Sequence, residues 1–250
     1  MSAIAIAAGI AVLAGAALQS ATGFGFALVS APLLFATVEP EQAVALLLAL
    51  GLVVNLLTLA TEGRRPQPLV SDTVRLLAWA VPGVVVGVIA LRSLDATALQ
   101  VGVTLGVFAT LAARHVANRR KTKAPSDTPA LWAAPAAGFS SGALTTSTNT
   151  AGPPIVLYLL ARGATPVQTR DTLTASFVGL TVLGAAALAA GGSGAAAPKA
   201  AALAALVPLA IAGHLAGRPI FARLSEEHYE PVLTTVLVAT ALGGLLTALL

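Results

Sequence analysis

Six apolar runs, residues 42–61, about 73–91, 97–114, 169–189, 199–217 and 231–250, are each long enough to cross a lipid bilayer as a helix, and nothing constrains this chain more. A hydrocarbon core of about 30 Å takes roughly 20 helical residues. Inside it no water satisfies the backbone, so each run must close its own hydrogen bonds as an α-helix. Composition points the same way: 57% of the residues are hydrophobic and only 10% charged, with a mean hydropathy of +0.89, far outside the range of a water-soluble domain. An all-α polytopic membrane protein is expected, a single membrane domain with room for at most about ten crossings. The opening segment, MSAIAIAAGIAVLAGAA, has the apolar stretch of a signal peptide but no basic region before it. It runs directly into further membrane-type sequence and is read as retained.

Two further apolar regions are interrupted. Residues 3–19 meet the break SATGFG (20–25), after which only Phe26–Val38 are apolar; residues 130–144 meet TTSTNTAG (145–152), followed by PPIVLYLLARG to Gly163. A helix over the first of these short segments reaches about 20 Å, too little for the hydrocarbon core. Each region is therefore expected to form a broken-helix hairpin that dips into the membrane and returns.

The two halves resemble each other when the sequence is slid along itself. A shift of 126 lays Leu77, Ala78, Val81, Pro82, Gly87 and Arg92 on Leu203, Ala204, Val207, Pro208, Gly213 and Arg218, and Pro40 and Gln42 on Pro166 and Gln168. A shift of 130 lays VTLGVFATL (103–111) on LTTVLVATA (233–241). In a chain so rich in Ala and Leu, the Pro, Gly, Arg and Gln coincidences carry the weight. The expected organisation is a first membrane repeat over 1–115, a basic linker over 116–129 and a second repeat over 130–250.

Basic residues set the orientation, because they stay on the cytoplasmic side. With both breaks as hairpins, the loops 62–75, 114–129, 162–170 and 218–230 share one side and hold 12 of the 14 Lys and Arg residues, leaving Arg92 and Lys199 opposite. With each break as a single crossing the split falls to 9 against 5. The hairpin arrangement is favoured. Each half is then a hairpin plus three transmembrane helices, an odd number of crossings, so the halves insert upside down relative to each other. The result is an inverted repeat with both termini outside.

Inverted repeats with broken helices are the architecture of secondary transporters, whose substrate sites lie near the midplane where the discontinuous helices meet. Non-helical backbone at membrane depth is tolerated only where it lines a cavity or is buried in protein. The two breaks are therefore expected to wall a translocation site. Each leads into a short helix whose first N–H groups lack intrahelical acceptors and carry the positive end of the dipole, a setting for an anion. Gly23, Gly25 and Gly152 allow close approach of the backbone. Ser20, Thr22, Thr145, Thr146, Ser147 and Thr148 add hydroxyls and Asn149 an amide. Gln19, just before the first break, and Pro153, just after the second, complete the candidate substrate-binding set. No buried Arg or Lys is required, since neutral donors bind an anion without trapping it.

The same residues carry a family resemblance. GAALQSATGFGFALVSAPLLFA (15–36) and GFSSGALTTSTNTAGPPIVLYLLARG (138–163) resemble the paired motifs of the sulfite exporter TauE/SafE family, also called the toluene sulfonate uptake permease family. Chain length, segment order and the basic mid-chain loop extend the likeness over nearly the whole chain. The resemblance implies a multi-pass transporter of the bacterial inner membrane that moves sulfite, organosulfonates such as sulfoacetate, or related carboxylates. Its expected partners are that small anion and the lipid bilayer, with no nucleic acid and no cofactor; a homodimer is compatible with the sequence, which holds no argument for one.

Blander readings stand beside these. The small-residue run 184–206 reads as close helix packing. The basic run 114–127 reads as a cytoplasmic anchor rather than a nucleic-acid or lipid site. Gln19, Asn55 and Gln100 are polar residues within apolar runs, each an interhelical hydrogen bond or a substrate contact, with Gln19 the best placed. GFSSG (138–142) matches G-x-S-x-G, with His214 as the base for Ser140, but the strand-turn-helix setting of that motif is missing. No enzyme is therefore expected, and a non-transporting scaffold would not call for two polar breaks. Zero cysteines exclude disulfides and thiolate chemistry, and His115, His214 and His228 are too scattered to suggest a metal site.

All ten acidic residues (Glu39, Glu41, Glu62, Asp72, Asp95, Asp127, Asp171, Glu226, Glu227, Glu230) fall in loops or at helix ends, so no carboxylate proton relay at the midplane is expected. The anion then moves down its own electrochemical gradient or carries a proton on itself. His214 alone among the histidines lies inside a span. Four residues from Arg218, it reads equally as an interface residue or as a relay.

Overall fold

The computed structural model describes residues 3–61, 63–95, 98, 101, 131–191, 198–223, 227–229 and 231–236. Its main helices are α1 (Ala3–Thr22), α2 (Phe26–Phe35), α3 (Pro40–Thr61), α4 (Val70–Ser93), α5 (Ala133–Ser147), α6 (Gly152–Ala161), α7 (Pro166–Ala190) and α8 (Ala200–Arg223). Among the described residues the chain has no strand. The linker 116–129 and most of the expected runs 97–114 and 231–250 lie outside the described residues. Among the described residues, five helices are long and apolar enough to cross a membrane: α1 over Ile4–Thr22, α3, α4, α7, and α8 over Ala200–Phe221. Helices α2 and α6 have 10 residues each and are not.

Helix α1 departs from expectation, because it does not stop at residue 19. It continues through Ser20, Ala21 and Thr22, which makes it long enough to span by itself. Helix α5 likewise continues through Thr145, Thr146 and Ser147. The reason lies in the hydroxyls. Thr22 donates to the Leu18 carbonyl at 2.9 Å, Thr145 to Ser141 at 2.7 Å and Ser147 to Ala143 at 2.8 Å, each four residues back. A hydroxyl that bonds its own helix is satisfied in an apolar setting. The non-helical segments consequently shrink to Gly23–Gly25 and Thr148–Ala151.

Past the first break the chain reverses. Ser30 on α2 donates its hydroxyl to the Ala11 carbonyl on α1 at 3.2 Å, and Gly15 sits so close to Phe26 that a side chain would collide with it. The expected hairpin of α1 and α2 is therefore antiparallel, with α2 returning along α1.

Glycines four residues apart set the closest helix pairs. On α4, Gly83 and Gly87 face the carbonyls of Phe139 and Ala143; on α5, Gly138 and Gly142 face those of Leu76 and Ala80. A Cβ at any of the four would overlap the opposing backbone, so only glycine permits this approach. Because residue numbers rise together on both helices, α4 and α5 run parallel. Gly213 and Gly217 on α8 meet the Leu13 and Ala17 carbonyls on α1 in the same manner, again in parallel. GFSSG is thus a packing motif within a helix and not a nucleophile turn. His214 bonds Ser20 and Thr61 instead of Ser140, which removes the hydrolase reading.

Helices α3 and α7 pack on each other and on α8 and α4 respectively. One apolar core joins α1, α2, α3 and α8 with the final turns of α4 and α7, and a second joins α4, α5, α6 and α7. Phe24, from the first break, is buried in the second core. The outward side of α4, with Val70, Val74, Trp79, Val85 and Ile89 exposed, suits a lipid-facing surface.

Candidate functional site

The first break is held by its own polar residues. Gly23 and Gly25 take φ of 91° and 109°, a region open to glycine and strained for other residues. Between them the chain turns from α1 into α2. Gln19 spans the gap: its Nε2 donates to Oδ1 of Asn55 on α3 at 2.8 Å, and its Oε1 accepts the leading N–H of α2, from Phe26, at 3.3 Å. The amides of Ala27 and Leu28 follow in that first turn, where an α-helix has no intrahelical acceptors to offer.

The carbonyl end of α1 is capped from the opposite half of the chain. Arg170 on α7, fully buried, donates to the Ser20 carbonyl at 2.7 Å, and its guanidinium lies 4.0 Å over the ring of Phe221. A cation at a helix C-terminus meets the negative end of the dipole. Tyr229 donates its hydroxyl to the Thr22 carbonyl at 2.8 Å. Burial pushes that phenol well above its ordinary value, so it remains a proton donor at any physiological pH.

The second break uses different means. Asn149 adopts the left-handed region, φ 58°, which asparagine tolerates better than most residues. The Thr148 and Thr150 hydroxyls bond each other at 2.8 Å, and the Thr148 and Thr150 amides both reach the Leu144 carbonyl. Helix α6 then starts Gly152-Pro153-Pro154. Prolines are pre-shaped for a helix start but carry no N–H. The two short helices are therefore not equivalent donors, contrary to the expectation drawn from the breaks alone.

The breaks touch. A side chain at Gly152 would begin to crowd the ring of Phe24, 3.0 Å away. Beside this contact lies a cavity of ≈ 40 Å³ to which both breaks contribute. Of the expected set, Gln19, Gly25, Thr145, Asn149 and Gly152 line it, joined by Asn55 and Gly51 from α3 and by Phe177, Leu180 and Thr181 from α7. Ser20, Thr22, Gly23, Thr146, Ser147, Thr148 and Pro153 do not line it. Their hydroxyls are engaged elsewhere: Ser20 with His214, Thr146 with the Val84 carbonyl on α4 at 2.8 Å, and the others with nearby backbone.

Sequence reasoning placed Arg170 in a cytoplasmic loop, and the structure buries it one turn inside α7. The signal was present: Thr165, Pro166 and Gln168 form a capping box with Pro at the first helical position, so the helix starts before Arg170. Asp171 and Asp72 do stand in the early turns of α7 and α4, yet both are buried in ion pairs. Asp171 takes both guanidinium nitrogens of Arg64 at 2.7 and 2.8 Å and the Gln67 N–H at 2.7 Å. Asp72 accepts from the Tyr158 hydroxyl and from Arg162 at 3.2 Å. At the opposite ends of α3, α4 and α7, Arg92 bonds Glu41 at 3.3 Å and the Gly191 carbonyl at 3.0 Å.

The family model described as sulfite exporter TauE/SafE matches residues 7–243, nearly the whole chain. No curated protein and no solved structure matches it.

Proposed function

The chain belongs to the sulfite exporter TauE/SafE family of membrane transporters, and from that premise we propose that it is a secondary transporter carrying sulfite or small organosulfonates outward through the cavity between its two breaks. One observation carries the reading. The cavity is lined by neutral groups, the amides of Gln19, Asn55 and Asn149 and the hydroxyl of Thr181, with Thr145 in the wall, at the start of α2 where the helix dipole is positive. Such a lining can replace the hydration of a small oxyanion without a fixed counter-charge to hold it. Arg170 stands behind the first break as a positioning residue. The substrate-binding set is Gln19, Gly25, Thr145, Asn149 and Gly152, with the remaining residues of both breaks holding their shape.

The inverted repeat belongs to the same proposal. A shift of 126 carries Phe26–Phe35 onto Gly152–Ala161 and the first residue of α3, Pro40, onto that of α7, Pro166. The parallel pairs α1/α8 and α4/α5 exchange under that shift, as they must if hairpins of opposite orientation enter from opposite sides. Both termini and the 92–96 and 190–198 loops then face outside, and the 62–71, 116–129 and 218–230 segments face the cytoplasm.

Flux into proteoliposomes tests the reading, with sulfite, sulfoacetate, acetate and chloride offered separately. Saturable flux of sulfite or sulfoacetate that responds to an imposed membrane potential is expected. Absence of flux for every sulfur anion in correctly folded protein would end the proposal.

A further inference from the structure

His214 is wholly buried on α8, and both of its ring nitrogens are engaged. Nδ1 lies 2.7 Å from the Ser20 hydroxyl on α1, and Nε2 lies 3.0 Å from the Thr61 hydroxyl at the end of α3. Thr61 already donates its one hydroxyl proton to the Leu57 carbonyl, at 2.8 Å, so toward the ring it can only accept. Nε2 therefore carries a proton, and in the neutral ring Nδ1 accepts from Ser20. A proton added at Nδ1 reverses that bond: Nδ1–H donates, and the Ser20 hydroxyl must turn its hydrogen to another acceptor. Only an N–H bond forms, the proton coming from solvent and returning to it.

Ser20 is well placed to transmit the change. It follows Gln19, which joins the cavity wall on α3 to the start of α2, and its carbonyl is held by Arg170. The charged groups on the elements around His214 are few among the described residues. Helix α1 carries none, and the Glu41 of α3 sits at the far end with Arg92. On α8 itself Arg218 and Arg223 lie further along the helix, and Arg170 reaches in from α7, with Asp171 beside it paired to Arg64.

We infer that His214 is a proton-binding site coupled to transport, its protonation at Nδ1 switching the Ser20 hydroxyl beside the cavity from donor to acceptor. This rests on the transporter reading and adds to it a titrating group outside the anion's own contacts.

The test uses proteoliposomes at zero membrane potential and methanesulfonate, an anion that stays ionised throughout. In the wild type, flux should change at least about fivefold between about pH 5 and 8, where histidine ordinarily titrates, and should follow an imposed pH gradient. His214→Gln keeps a donor for Thr61 and an acceptor for Ser20 but cannot titrate, so its profile should be flat, whereas His115→Gln and His228→Gln should keep the wild-type profile. A pH profile of His214→Gln superimposable on the wild type overturns the inference. Loss of all sulfite and sulfonate flux in the wild type counts against the transporter reading instead. Nitrogen NMR of the histidine-labelled protein with His115 and His228 replaced by Gln reads the ring directly and needs no His214 variant. Uptake of a proton at Nδ1 in this range, with a midpoint moved by sulfite, supports the site; a ring that stays neutral with and without sulfite overturns it.

Discussion

The first break turns on two glycines and the second on an asparagine followed by two prolines, and this decides what each can offer a ligand. At the first break the cavity is bordered by Gly25 and the first residues of α2, Phe26, Ala27 and Leu28, whose amides lie at the positive end of the dipole. At Thr148–Ala151 the chain is stiffened by a hydroxyl pair and by Pro153 and Pro154, which have no amide hydrogen, so the side chain of Asn149 must do what the backbone cannot. The two breaks thus differ in the donors they present. Backbone donation is concentrated at the first break, and side-chain donation at the second.

The largest effect expected from breaking this contrast is at Gly25. A side chain there would meet Leu18 at 2.8 Å in a backbone region that strains any other residue. Gly25→Val should cost about 1–3 kcal/mol of stability and abolish flux, read by thermal unfolding and by sulfite uptake. Asn149 comes next. Asn149→Leu loses both the amide and the tolerance of a left-handed φ, the latter at about 1–2 kcal/mol. Asn149→Gly keeps the turn and loses only the amide. Flux should fall roughly 10- to 100-fold in both, as for a lost hydrogen bond to an anion, with near-normal stability only in the glycine variant; normal flux in Asn149→Gly would return the second break to a structural role.

Smaller effects sharpen the comparison further. Arg170→Lys keeps the charge but loses the planar group over Phe221 and the reach to Ser20, which should lower stability by about 1–2 kcal/mol. Smallest is Pro153→Ala, expected to cost about 0.4–1 kcal/mol through greater freedom of the unfolded chain. Its flux should stay within about twofold of the wild type, since a new amide at that place does not line the cavity. A large change in flux would mean that the start of α6 meets the anion after all.

The position of the candidate site was partly legible from the sequence because short helices after polar breaks have few physical explanations in a membrane. Helices α2 and α6 fall where the apolar runs shortened, and Gln19, Gly25, Thr145, Asn149 and Gly152 meet at one cavity. The hydroxyls were less readable. A serine or threonine near a helix end can turn to the cavity or to the carbonyl a turn behind it, and Thr22 and Ser147 chose the carbonyl. Phe177, Leu180 and Thr181 carry no local mark of a site; they reach the cavity because α7 packs beside α3, a tertiary fact. Asn55 was visible as a polar residue in an apolar run, and the structure gives it both places: it bonds Gln19 and it lines the cavity.

Gly51 offers the most direct test that the cavity is the path, because it lines the wall from α3 and belongs to neither break. It lies within an α-helix, and an added Cβ would meet only ordinary contacts, 3.7 Å from Phe26 and 3.9 Å from Asn149. Gly51→Ala should therefore fold, with a methyl group that narrows the cavity and removes no donor. Sulfite flux in proteoliposomes, measured on protein that unfolds at or above the wild-type temperature, should drop well below the wild-type rate. Flux at the wild-type rate in that folded variant would contradict a translocation site between the two breaks.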